Sequence, residues 1–165
     1  MKWLRYSVLW LSLIIILGLT NGSIWQKEQL ITHGEVILLQ LAPVDPRSLM
    51  QGDYMRLGYA IATELRNNPA LSSHGQLVIK ITATGVATYQ RLYQPNETLA
   101  NDERLLNYHQ TDGQLYLGAE SFFFQEGQAQ YYQPAKYGEL RLTPNGESVL
   151  VGLRDENLKP LTGRE

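Results

Sequence analysis

The chain has 165 residues, 44% of them hydrophobic and 18% charged, which is the size of one domain with little left over for a second. Lys2 and Arg5 are the only charges in the first 26 residues; beyond them 12 basic residues face 16 acidic ones, and that balance of −4 argues against nucleic acid as the main ligand and supplies no polybasic run for anionic lipid. Cysteine is absent, which excludes disulfides, thiolate metal sites, thiol catalysis and a lipid-modified N-terminal cysteine.

Tyr6 to Gln26 carries no charge across 21 residues, and Val8 to Leu19 is almost wholly apolar. Twenty-odd helical residues span roughly 30 Å, the thickness of a bilayer core. Trp3, Tyr6 and Trp10 crowd one end and Trp25 marks the other, the distribution of interfacial aromatic anchors. Residues 1–26 therefore read as an N-terminal membrane anchor helix. Lys2 and Arg5 precede the apolar run, while Lys27 and Glu28 cancel after it. The positive-inside bias then places the N-terminus in the cytoplasm and the remainder outside, as a single-pass protein of the inner (cytoplasmic) membrane with a periplasmic or extracytoplasmic domain. A cleaved signal peptide is the competing reading, but Thr20-Asn21-Gly22 is a poor small-x-small site and the apolar run is long. Residues 27–34 read as a short stalk, whose eight residues reach at most roughly 28 Å if extended.

Residues 35–165 form the domain, and their patterning is mostly β. Val36 to Leu41 is a continuous apolar run closed by Pro43, the mark of a buried strand. Tyr54 to Ile61 alternates, with Met55, Leu57, Tyr59 and Ile61 on one face. Thr63 to Asn67 is a short helix candidate ended by Asn68-Pro69. Leu77 to Ile81 is a strand, with Lys80 pointing outward, and Val86 to Tyr93 returns from it through Thr84-Gly85. Arg104 to Gln110 and Gln114 to Phe124 flank the hairpin signal Thr111-Asp112-Gly113. Gln128 to Lys136 reads as an irregular or short helical crossover. Asn145-Gly146 is the preferred type I′ pair; a two-residue loop there would match Leu142 with Val149 and Leu140 with Val151, leaving Arg141 and Leu150 on the other face. The expected fold is mainly β: a β-sandwich or open barrel-like set of antiparallel sheets with one or two short helices, plus one N-terminal transmembrane helix.

The densest local signal is Pro43 to Tyr59. Two prolines force extended or turn conformations, Gly52 suits a positive φ, and Asp53 can fold its carboxylate onto backbone N–H groups. Gly52-Asp53-Tyr54-x-x-Leu57-x-Tyr59, after Pro43-x-Asp45-Pro46-Arg47, resembles the defining motif of the GDYXXLXY family of uncharacterised membrane-anchored bacterial proteins. Leu117-Gly118-Ala119-Glu120, Phe122 to Gly127, Tyr137 to Arg141 and Val151 to Arg154 are similar to further family segments, so the resemblance spans nearly all of 35–161. It implies a membrane anchor, an extracytoplasmic domain and association with a multi-spanning membrane protein. It implies no biochemical activity.

The candidate binding residues are Asp45, Arg47, Gly52, Asp53, Tyr54 and Tyr59, with Phe122, Phe123 and Phe124 as a second surface. The bland reading of Asp45, Arg47 and Asp53 is a turn whose carboxylates cap backbone donors and pair with the guanidinium. Glu120, Glu126 and Glu139 are a second acidic set of unknown proximity. Three consecutive phenylalanines on a strand must expose at least one ring unless both faces are covered. His33, His74 and His109 are far apart in sequence and lack metal-ligand spacing, so no metal and no cofactor is expected. Ser48 and Lys80 are partly similar to the nucleophile and base of type I signal peptidases, but the spacing is short and the usual proline is missing; that hydrolase is one alternative. A cell-wall glycan-binding module is another, since nine of the ten tyrosines follow residue 27 and aromatic faces stack on sugars. The preferred reading is a non-enzymatic interaction or accessory subunit of a membrane assembly, because no activated nucleophile, acid/base pair or metal cluster is recognisable.

Overall fold

A computed structural model describes residues 2–42, 50–51 and 54–163. Helix α1 runs from Lys2 to His33 without a break. It is long and apolar enough to cross a membrane, and none of its apolar window is buried against protein. Its polar side chains are spent internally: Thr20 Oγ1 donates to Ile16 O at 2.7 Å, Asn21 Nδ2 to Leu17 O at 2.8 Å and Ser23 Oγ to Leu19 O at 3.0 Å. Back-bonding of this kind removes the cost of a bare hydroxyl or amide in an apolar setting. The residues read as a short stalk are helical as far as His33. Lys27 to His33 contains neither Gly nor Pro and begins with good helix formers, so nothing stops the helix before Gly34. At 1.5 Å per residue the seven residues add roughly 10 Å rather than the longer reach of an extended chain.

The domain follows in the order β1 (Glu35–Gln40), β2 (Met50–Gln51), β3 (Tyr54–Arg56), α2 (Ala60–Glu64), β4 (His74–Ile81), β5 (Val86–Leu92), β6 (Glu103–Thr111), β7 (Gln114–Tyr116), β8 (Ser121–Phe123), α3 (Ala129–Tyr132), β9 (Tyr137–Leu142), β10 (Ser148–Arg154) and β11 (Pro160–Leu161). Eight strands form one sheet in the order β11-β10-β9-β1-β5-β4-β6-β7, and β2-β3-β8 form a small second sheet. The fold is mainly β, as the patterning indicates. The large sheet is mixed, because β1 and β5 run parallel with Leu38 opposite Val86. All its other pairs are antiparallel.

The large sheet curls. Strands β1 and β6 are three positions apart, roughly 14 Å in a flat sheet. Yet Arg104 Nε on β6 donates to Glu35 Oε2 on β1 at 2.6 Å. The backbone N–H of Asn107 on β6 also reaches Gly146 O, at the tip of the β9–β10 hairpin, at 2.9 Å. Only a strongly coiled sheet brings those edges together, so the architecture is an open barrel. Its interior is filled by Ile37, Leu39, Leu77, Ile79, Leu106 and Leu140, each fully buried.

Three local expectations are corrected. The β9–β10 register is one residue off the type I′ reading: Leu142 faces Ser148, Arg141 faces Val149 and Leu140 faces Leu150. The cause is Pro144, whose fixed φ suits the second position of a type I turn. Gly146 N donates to Thr143 O, Thr143 N donates to Glu147 O, and Gly146 alone takes a positive φ of 88°. That is a three-residue loop with a glycine bulge. A second irregularity between Leu150 and Gly152 leaves Val151 exposed. Next, the alternating stretch from Tyr54 stops being a strand at Arg56, and α2 begins at Ala60, three residues before the expected helix. Met55, Leu57, Tyr59 and Ile61 are nevertheless all buried, since the chain stays extended through Tyr59 and the first helical turn carries Ile61 inward. Finally, Gln114 to Phe124 divides into β7 and β8, which belong to different sheets. The preceding hairpin holds: Asp112 and Gly113 both adopt positive φ between the paired Thr111 and Gln114.

Candidate interaction site

Asp45, Arg47, Gly52 and Asp53, together with Ser48, lie outside the described residues. The second half of the motif is structural. Leu57 N donates to Glu120 O at 2.7 Å, which fastens the end of β3 to the segment before β8. Tyr59 is 1% exposed, and its hydroxyl donates to Ala119 O at 2.6 Å. Burial, with the nearby Glu120 charge second, pushes that hydroxyl's pKa far above the ordinary tyrosine value. Its ring lies against Gly138 on β9, where an added Cβ would meet it at 3.2 Å. One side chain thus ties the motif to β8's lead-in and to the barrel wall.

The motif's outward part is aromatic. In the small sheet Tyr54 faces Phe123, Met55 faces Phe122 and Arg56 faces Ser121. Period-two alternation sends Met55 and Phe122 inward, where Phe122 packs edge-on against Tyr132 at 4.9 Å and Phe124 lies 5.5 Å from the same ring. The opposite face carries Tyr54, Arg56, Ser121 and Phe123. Phe123 is 73% exposed, and its ring sits 5.8 Å from that of Tyr54. Outside α1, Val36 and Val151 are the other exposed large apolar residues among the described ones, each at about half that exposure. Of the three phenylalanines, one is therefore presented and two are packing. Arg56 and Ser121 are the neighbours that composition alone does not single out; strand register is the signal that finds them.

This patch lies at the end of the barrel remote from α1. Helix α1 meets β1 at Glu35, and Leu41, six residues further on, pairs with Tyr59 and packs against the cluster of Met55, Leu57, Tyr132 and Leu153, which Phe122 also covers. Six strand residues rise about 20 Å.

Most other charged side chains are committed. Lys80 is half exposed and 3.0 Å from Asp102, so it is a solvated ion-paired lysine rather than a desolvated base. Its partner's carboxyl is held low by that contact. Glu139 receives Arg154 Nε at 2.7 Å, and Glu120 Oε1 caps the Leu117 N–H, so neither joins Glu126 in an acidic cluster. His74 and His109, distant in sequence, face each other across β4 and β6, with rings 6.3 Å apart; His109 stacks on Tyr116 at 5.0 Å. Among the described residues no three His, Asp or Glu side chains gather as metal ligands.

Arg91 clamps the loop between β5 and β6, bonding Glu97 through Nε and holding Glu103 through Nη1 and Nη2. That guanidinium, with the Ala100 N–H second, holds the Glu103 carboxyl down to about 2 against an ordinary 4.5. A depressed carboxyl stabilises the fold above its unfolded pKa and loses that contribution as pH falls towards its folded one. The clamp is therefore at full strength above pH 4.5 and is lost on the way down to about 2. An NMR titration of the Ala100 amide should show its transition near the lower value. In Arg91→Ala the transition should move up towards about 4.5.

The described residues thus form an open, mainly β barrel that follows one long apolar helix and presents an aromatic sheet face at its far end. Residues 16–153 match the family described as GDYXXLXY protein, and the chain belongs to that family. The family's function is uncharacterised. Comparison with curated proteins and with solved structures yields no match.

Proposed function

We propose that this chain is a single-pass protein of the inner (cytoplasmic) membrane whose extracytoplasmic domain acts as a non-enzymatic accessory subunit, docking a multi-spanning membrane protein. The carrying observation is the Tyr54–Phe123 aromatic face, with Phe123 exposed and Tyr54 half-buried beside it, on the side of the small sheet opposite the Met55–Phe122–Tyr132 packing. It sits about 20 Å along β1 from the helix, beyond the headgroup layer on which the anchor would rest the domain. Lipid contact is thus a poor use for it, and a protruding portion of a partner is a good one. Exposed aromatics backed by a packed layer are the residues that dominate interfaces.

A photo-crosslinking residue at Phe123 should capture one discrete membrane partner in intact cells, while the same residue at exposed Glu156 should not. Phe123→Asp should lower co-purification of that partner in mild detergent at least tenfold, the effect of losing about 1.4 kcal/mol or more of binding. Equal yields from both positions, or capture of cell-wall glycan instead, would count against the reading.

A further inference from the structure

A cleft of about 910 Å³ lies between the last two turns of α1, the loop leading into β6 and the tip of the β9–β10 hairpin. That volume falls within the range of small-ligand sites. Its wall is apolar where Leu30, Leu99 and Leu142 line it. Its charged lining is mostly spent. Glu35 holds Arg104 through two bonds, and Arg104 Nη1 also donates to Asn101 O and Glu103 O at 2.8 Å. Glu103 is taken by Arg91. What remains is the carboxylate of Glu147, exposed and without an ion pair among the described residues. Trp25, Gln29 and His33, which carry side-chain donors, line the same cleft from α1.

Position supplies the second argument. Trp25 is the aromatic that closes the apolar run, and His33 is eight residues further along the same helix, roughly 12 Å. The headgroup zone of a bilayer is roughly 5–8 Å thick on each side, so the cleft opens within or just above it. From these features we infer that the cleft takes the headgroup of a primary-amine phospholipid, with the amine on Glu147 and the phosphate towards the donors of α1. The inference rests on the membrane reading above. An anionic headgroup is disfavoured, because the one guanidinium in the lining already pairs with Glu35 and donates to two carbonyls.

The full-length protein, extracted in mild detergent, would be offered phosphatidylethanolamine or phosphatidylglycerol and examined by native mass spectrometry. One phosphatidylethanolamine should be retained per chain at least tenfold better than phosphatidylglycerol. Glu147→Gln, which leaves the backbone bonds of the hairpin tip intact, should abolish the preference, and Glu147→Asp should restore most of it. Equal retention of the two lipids, preference for phosphatidylglycerol, or a preference unchanged in Glu147→Gln overturns the assignment. Alkaline carbonate extraction separates the two levels: a chain that stays in the membrane pellet but shows no lipid preference defeats the cleft assignment alone, whereas a chain washed free defeats the membrane reading and this inference with it.

Discussion

Tyr59→Ala is expected to destabilise the domain by about 4–8 kcal/mol, enough to unfold many domains of this size. Removing a fully buried aromatic ring costs about 3–5 kcal/mol through lost transfer energy and the cavity left behind. Ala119 O would then lose its hydrogen-bond donor at a buried site, adding about 1–3 kcal/mol if no water enters. Relaxation is restricted, because the ring is wedged between Gly138 and the β7–β8 connection, each fixed by its own backbone bonds. Tyr59→Phe separates the contributions: it keeps the ring and drops the hydroxyl, and should cost only about 1–2 kcal/mol. Urea unfolding of the full chain in detergent, followed by near-ultraviolet circular dichroism, reads both values. The hydroxyl has a pH signature as well. A tyrosine whose folded pKa is raised stabilises the fold below the unfolded value of 10.0 and loses that contribution as pH rises above it. Native protein should therefore lose stability beyond pH 10, and Tyr59→Phe should lack that share of the loss. If Tyr59→Ala unfolds at nearly the native urea midpoint, the motif's second tyrosine does not carry the core.

The same residue shows how far the sequence can be read. Period-two alternation identifies Met55, Leu57, Tyr59 and Ile61 as one inward face, and all four are buried, although the strand ends after three residues. Burial depends on where side chains point, and an extended segment need not be paired to point them. Pairing partners are a different matter. The β9–β10 register slips by one residue because Pro144 fits a type I turn that the Asn145-Gly146 dipeptide does not by itself reveal. The parallel neighbour of β1 depends on how the 44 residues between Leu41 and Val86 cross over, which no local pattern records. His74 and His109 meet for the same reason, since 34 intervening residues must first form two antiparallel strands of fixed register. At the candidate site, the need to expose one phenylalanine of three follows from alternation. Which one is exposed follows only from the Met55–Phe122 pairing. The stalk residues up to His33 are helical because a stretch without Gly or Pro simply prolongs the helix before it.

Replacing Leu13 and Leu17 together by arginine is expected to release the chain from the membrane. At the centre of a spanning helix each arginine costs about 2.5–3.5 kcal/mol, and each leucine lost forfeits a few tenths more. The pair amounts to about 6–8 kcal/mol, a factor of 10⁴ or more in the partition between lipid and water. The two positions are four apart, one above the other on the same face, so rotating the helix cannot hide one without exposing the other. Nothing in the domain competes for them, because this part of α1 is not buried against protein. Carbonate extraction should move the double variant from pellet to supernatant, while Leu13→Ile with Leu17→Ile should leave the chain in the pellet. The native sequence has no cysteine, so one introduced at exposed Glu156 is a clean reporter of sidedness. A membrane-impermeant maleimide should label it in unlysed cells once the outer envelope is opened, and should fail to do so in the arginine variant, whose domain would stay in the cytosol. Mass spectrometry of the membrane-bound native chain completes the test. A product beginning near Gly22 would mean that the apolar segment is removed, and retention would then have to come from the domain's own docking face around Phe123.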